Sequence, residues 1–171
     1  MMHIIYSDNI QILNSKFLNA YLDSIDVDIS KNILFKNTNI ISSGNDGIDF
    51  MESTAYLDKM LFLSSGDKGI SVGENSNILV KNSKFKNNKY GIASKDLSKA
   101  LIENSVFDEN KIQLSTYKKN WRYGDSGFIE IKKSNFISLN NDIVSDERGE
   151  INIISSNFNG KISKKGNVNI N

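Results

Sequence analysis

Carboxylates crowd the first third of the chain. Asp23 and Asp26 recur 23 residues later as Asp46 and Asp49, with Asp28 and Glu52 beside them. If that spacing stacks the residues, like charges lie about 4.8 Å apart and raise each other's pKa unless something neutralises them. Two kinds of chemistry suit such a cluster. One is a Ca²⁺ site built from Asp23, Asp26, Asp46 and Asp49, which makes calcium the one cofactor to consider. The other is acid–base catalysis, with Asp46 and Asp49 joined by Lys68 and Lys95. The same lysines allow a third reading, a surface charge network with no ligand. A second group is the segment Tyr117, Lys118, Lys119, Asn120, Trp121, Arg122 and Tyr123, which holds the only Trp of the chain. Aromatic faces stack on sugar rings and cations pair with carboxylate or phosphate groups, so this segment reads as a ligand-binding loop. The alternative is a loop that folds onto the body and buries Trp121. A third group, Leu34, Tyr56, Leu79 and Leu101, is set in otherwise polar surroundings and reads either as a partner surface or as scattered surface apolar residues.

Several chemistries are excluded. The only His is His3 at the N-terminus, which argues against a Ser-His-Asp triad. There is no Cys, so no disulfide framework and no Cys-rich zinc site. A net charge of +1 gives no general attraction to nucleic acid. No apolar run approaches the roughly 18 residues of a spanning helix, and no basic start followed by an apolar run marks an export signal.

These residues are positioned by a repeat. Phe17, Ile40, Phe62, Phe85, Phe107, Phe136 and Phe158 close similar phrases at intervals of 23, 22, 23, 22, 29 and 22. The long interval is one ordinary repeat plus about seven residues, and it contains the Trp121 segment, assigned here to residues 116–126. Seven residues before each anchor lie Ile10, Ile33, Ala55, Ile78, Ala100, Ile129 and Ile151. Five before it lie Ile12, Phe35, Leu57, Val80, Ile102, Ile131 and Ile153. Both columns are apolar throughout and two residues apart, so they share one face of a strand. Leu34, Tyr56, Leu79 and Leu101 fall between them and point outward. Two residues before the anchor is a hydroxyl column, Ser15, Thr38, Ser83, Ser105, Ser134 and Ser156, interrupted by Met60. After the anchor comes a second strand, often opened by Gly-Ile. Its inward column is read as Ile25, Ile48, Ile70, Ile92, Ile112 and Ile143, followed two residues on by Val27, Phe50, Val72, Ser94, Leu114 and Ser145. No segment sustains helical periodicity.

A repeat of about 22 residues holding several short strands is one coil of a parallel β-helix. The fold class is therefore all-β, a single-stranded parallel solenoid of about seven coils forming one domain over residues 1–171. The composition agrees. Asn tolerates the left-handed backbone of the bends, and Pro, absent here, cannot supply the N–H that each paired coil needs. Both ends stop in a strand pattern without a capping helix, so the chain is expected to be a fragment or a subunit that oligomerises through its open edges.

The anchor phrases and the Gly-Ile segments Gly44–Asp49, Gly66–Glu74 and Gly91–Ser98 resemble the pectate-lyase-like right-handed β-helix superfamily. More narrowly they resemble bacterial β-helix proteins that accompany spore-coat-type kinase domains. The resemblance implies a right-handed solenoid, carbohydrate binding and an extracellular or cell-surface setting. The Gly-His-Gly and Arg-x-Lys of polygalacturonases and the Asp-Pro-His-Glu of mannuronan epimerases are missing. The expected function is an accessory, non-enzymatic module that binds an anionic polysaccharide or a partner protein. The alternatives are a polysaccharide lyase acting on uronate polymers and a purely structural, oligomerising solenoid.

Overall fold

The computed structural model describes residues 1–138, 142–164 and 166–171. Among these there is no helix, and the strands stack as three parallel sheets. One sheet has eight strands: Met2–Ile5, Ile25–Asp28, Ile48–Met51, Lys68–Gly73, Tyr90–Lys95, Ile112–Tyr117, Ile143–Ser145 and Ile162–Lys164. It is called the groove sheet below. A second, also of eight strands, runs from Gln11–Leu13 through Ile33–Lys36, Thr54–Asp58, Asn77–Lys81, Lys99–Glu103 and Phe128–Lys132 to Glu150–Ile154 and Asn167–Ile170. The third, six-stranded sheet carries the anchors. Successive coils thus contribute one strand to each sheet, which is a parallel β-helix of about seven coils.

The anchors pair directly, Phe17 with Ile40, Ile40 with Phe62, and onward to Phe136. Their rings stack: Phe62 on Phe85 at 4.9 Å between centroids, Phe85 on Phe107 at 4.7 Å, and Phe107 on Phe136 at 5.3 Å. The glycines of the Gly-Ile phrases make room for this stack. A Cβ on Gly91 would lie 2.6 Å from the Gln113 carbonyl oxygen and 2.9 Å from a Phe107 ring carbon. No glycine has positive φ, so close approach rather than backbone freedom selects the residue.

Polar columns satisfy the bends. Ser83, Ser105 and Ser134 donate their N–H groups to the hydroxyls of Ser105, Ser134 and Ser156 at 3.1–3.2 Å. Each of those hydroxyls donates in turn to the carbonyl two residues before it. A second hydroxyl ladder, Ser7, Ser30, Ser53, Ser76 and Ser98, does the same at another corner. The residues before the first ladder, Asn14, Asn37, Lys59, Asn82, Asn104, Lys133 and Ser155, all have φ between 47° and 56°. Asn fits there because its short side chain tolerates the left-handed region.

Two expectations are corrected. The inward partner of Ile92 and Ile143 is Leu114, not Ile112, and Thr116 pairs with Ser94 and Ser145. In this coil the Gly-Ile phrase becomes Gln113-Leu114, and the buried Gln113 is held by Asn110. An apolar pattern therefore does not show the register. Consequently Thr116 and Tyr117 are strand residues, and the insertion leaves the sheet only after them.

Replacing Phe85 by Ala should cost about 3–5 kcal/mol by opening a cavity in the ring stack. Ser105→Ala should cost about 1–3 kcal/mol by stranding the buried Ser83 N–H. Urea unfolding followed by circular dichroism measures both, and near-zero changes would contradict the stacked core described here.

Candidate functional site

Alternate side chains of the groove sheet face out, and the register stacks them. One outward column runs His3, Asp26, Asp49, Ser71, Ala93 and Ser115. The next runs Ile5, Asp28, Met51, Gly73, Lys95 and Tyr117, from the same pairings. Ser71 and Ala93 are fully buried beneath larger neighbours, and of the small residues in this column Ser115 lines open space. Toward the C-terminal coils the sheet carries a groove of about 760 Å³ lined by Asp67, Lys68, Lys89, Tyr90, Tyr117 and Asp146, among others, in which Lys89 pairs with Asp67 at 3.1 Å.

The four candidate catalytic residues form two ion pairs. Lys68 Nζ lies 3.3 Å from an Asp46 oxygen and also binds Asp67. Burial works against the Lys68 ammonium, but the Asp46 and Asp67 carboxylates outweigh it and hold the pKa above the usual lysine value. Lys68 is therefore a fixed cation, not a base. Burial lifts the Asp46 carboxyl to about 6, against the opposing pull of Lys68. Lys95 Nζ lies 3.7 Å from Asp49 and donates to Ser71 Oγ at 3.0 Å. The Lys95 side chain reaches back over Gly73, where a Cβ would collide with it. It is 3% exposed. Tyr117, beside Lys68, has its phenol pushed up to about 12 by burial, so it presents a neutral hydroxyl. Both lysines are thus buried beside carboxylates, with the neutral Tyr117 hydroxyl next to Lys68.

The four candidate metal ligands do not converge. Asp23 accepts the Asn45 amide at 2.7 Å and the Asp46 N–H at 2.6 Å. Asp46 Oδ1 accepts the Lys68 N–H at 2.9 Å. That leaves Asp26 and Asp49, which are strand partners in the outward column. Among the described residues no group of three or more His, Cys, Asp or Glu is placed to hold a metal ion. Burial, then Asp23, Asp49 and Asp28, raises the Asp26 carboxyl to about 6.

The insertion is tied down at its base. The N–H groups of Lys119 and Asn120 both donate to Asp96 Oδ1 at 2.8 Å, and the Lys118 N–H donates to Asp146 at 2.7 Å. It folds back toward earlier coils, where the Tyr123 hydroxyl donates to Glu52 at 2.6 Å. That hydrogen bond raises the Tyr123 phenol to about 12. The reading in which the loop buries Trp121 is overturned: the indole is 81% exposed, with the Arg122 guanidinium 5.7 Å from its ring. Lys118 Nζ and Arg148 both donate to the Gly124 carbonyl at 3.2 Å. Among the described residues, Lys118, Lys119, Arg122 and Arg148 form no ion pair within 4.0 Å. Sequence reasoning did not single out Asp67, Lys89, Tyr90 or Arg148. Tyr90 was within reach, because it stands one coil of 22 residues after Lys68. Arg148 was not, because only the loop's path brings it to Gly124.

Comparison with known proteins bears on the fold. A family model described as right handed beta helix region matches residues 2–168. No curated protein sequence matches the chain. Among solved structures, the alginate lyase from Paenibacillus sp. str. FPU-7 is similar with a TM-score of 0.63 at 13% identity, over 98% of this chain and 75% of that one. PfbA, a surface adhesin of Streptococcus pneumoniae, is similar with a TM-score of 0.50 at 16% identity, over 98% of this chain and 60% of that one. Identities this low establish the shared fold and nothing further.

The raised Asp26 pKa has a consequence for stability. A carboxyl whose folded pKa lies above its unfolded value contributes stability below pH 4, and loses it as pH rises through 6. Asp26→Asn should therefore stabilise the protein at pH 7.5 by about 1 kcal/mol after solvent screening, and by nothing near pH 3.5. Thermal unfolding of both proteins across that range checks it. A difference independent of pH would contradict the assignment.

Proposed function

Because this chain belongs to the right-handed beta-helix family, we propose that it is a binding module for an anionic polysaccharide of the polyuronate class, acting at the cell surface. The supporting observation is the exposed Trp121 with Arg122 at its face, beside cations that have no carboxylate partner among the described residues. An indole platform stacks on a sugar ring, and Lys118, Lys119, Arg122 and Arg148 answer the ring carboxylates. Tyr117 and Tyr90 extend the platform into the groove, where Lys68 and Lys89 are already paired with Asp46 and Asp67, so the carboxylate-answering cations are those of the insertion and Arg148. A lyase would need a base near the groove floor. Lys68 is held protonated and Tyr117 neutral, which favours binding over elimination.

Isothermal titration with alginate and with polygalacturonate tests the proposal. Affinity should fall at least about tenfold in Trp121→Ala and in Lys118→Ala/Arg122→Ala, and should weaken as salt is added. A neutral glucan should not bind. No binding to any polyuronate, or binding unchanged in both variants, would overturn it. Release of unsaturated products from either polymer would replace it with the lyase reading.

A further inference from the structure

The sheet that runs from Gln11–Leu13 to Asn167–Ile170 carries an outward row distinct from the groove. Leu34, Tyr56, Leu79 and Leu101 are direct strand partners and form the floor of an apolar depression of about 540 Å³. Tyr56 and Leu101 are 38% and 41% exposed. Polar residues close the row at both ends, Gln11 beside Leu34 and Glu130 beside Leu101. Two residues further along each of the same four strands, the row reads Lys36, Asp58, Lys81 and Glu103, alternating in sign coil by coil; Asp58 is buried and accepts the Asn82 amide at 2.7 Å, so Lys36, Lys81 and Glu103 are its solvent-facing members.

The two rows share a centre, between the strands of Tyr56 and Leu79. Reversing the order of the coils about that centre brings Leu34 opposite Leu101 and Tyr56 opposite Leu79. The same reversal brings Lys36 opposite Glu103, and Lys81 opposite the position of the buried Asp58, so that no like charges meet. A two-fold axis parallel to the strands performs this reversal while turning one sheet face onto another, at the spacing of about 10 Å that packed sheets adopt. An isologous contact requires this property, that residue i meets j and j meets i. Alternation also serves the isolated chain, since Lys81 pairs with Glu103 at 2.7 Å. That intrachain benefit does not require the charged row to occupy the same four coils as the apolar one.

We infer that this face binds a second copy of the chain, forming a two-fold homodimer by sheet-on-sheet packing. The apolar row is its buried centre, and the alternating charges set the register and exclude like-on-like slippage.

Sedimentation equilibrium of the intact chain from micromolar to millimolar concentration is the test. The expected result is a reversible monomer–dimer equilibrium with no larger species. Lys36→Glu places like charges together twice per dimer and should raise Kd at least about tenfold. The combination Lys36→Glu/Glu103→Lys restores complementarity and should return Kd to within about threefold of the native value. Leu79→Asp should leave a monomer. If that variant fails to fold, the two charge variants still decide the matter. A monomer at every concentration would overturn the inference and leave the face to a different occupant. So would a dimer indifferent to Lys36→Glu, or open-ended polymers formed by stacking of coil ends.

Discussion

In this solenoid each coil is hydrogen-bonded to the coils before and after it, so a residue's nearest neighbours are those occupying its own position one turn away. That single constraint sorts the side chains. Apolar residues gain from meeting themselves, and the inner columns of Ile, Val and Phe are buried except at the ends, where Ile10 is exposed and Phe17 and Phe158 are half-buried. Hydroxyls gain too, because each can accept from the preceding coil's backbone while donating within its own, as Ser83, Ser105 and Ser134 do. Like charges lose. Asp26 beneath Asp49 is the clearest case, with its carboxyl lifted to about 6 by burial and by the acids around it.

The same constraint shapes the groove. Where the Asp23 and Asp46 column continues, the next residue is Lys68, which cancels the accumulating charge and is fixed by doing so. Where the Asp49 column continues, the residues are Ser71, Ala93 and Ser115, and the column loses both charge and side-chain volume. Lys95 comes from the neighbouring column and reaches back to Asp49 across the space that Gly73 provides. The early coils thus keep an acidic surface, in which Lys68 and Lys95 answer Asp46 and Asp49 while Asp23 and Asp26 have no ammonium partner among the described residues. The insertion and Arg148 carry cations that form no ion pair among the described residues, and Arg122 lies at the face of the exposed indole. A net charge of +1 conceals this division.

Much of the fold was legible because stacking writes the same residue type into the sequence once per coil. The Phe17-to-Phe158 anchors, the two apolar columns before them and the Ser105 ladder follow from spacing alone. The second ladder, Ser7 to Ser98, was harder to see, because its steps of 23 and 22 residues fall out of phase with those of the anchors. The Leu114 register was misread where Gln113, an interior polar residue, replaced glycine. The candidate site was legible only as a set of segments. Spacing brought Asp26 to Asp49, but it could not show that Asp46 and Lys68 saturate each other. Nor could it show that Tyr117 belongs to the sheet, or that the insertion turns Trp121 outward while Tyr123 reaches Glu52. Those outcomes depend on a path that occurs once, in the only coil with an insertion, and a repeat carries no information about it.

Trp121 is the only indole in the chain, so its intrinsic fluorescence reports on the proposed site without any label. The free protein should show the red-shifted emission of a water-exposed indole, readily quenched by iodide. Titration with a polyuronate should then blue-shift and protect it saturably, with the effect reversed by salt. A blue-shifted, quencher-resistant indole in the free protein, or emission unmoved by any polyuronate, would contradict the account.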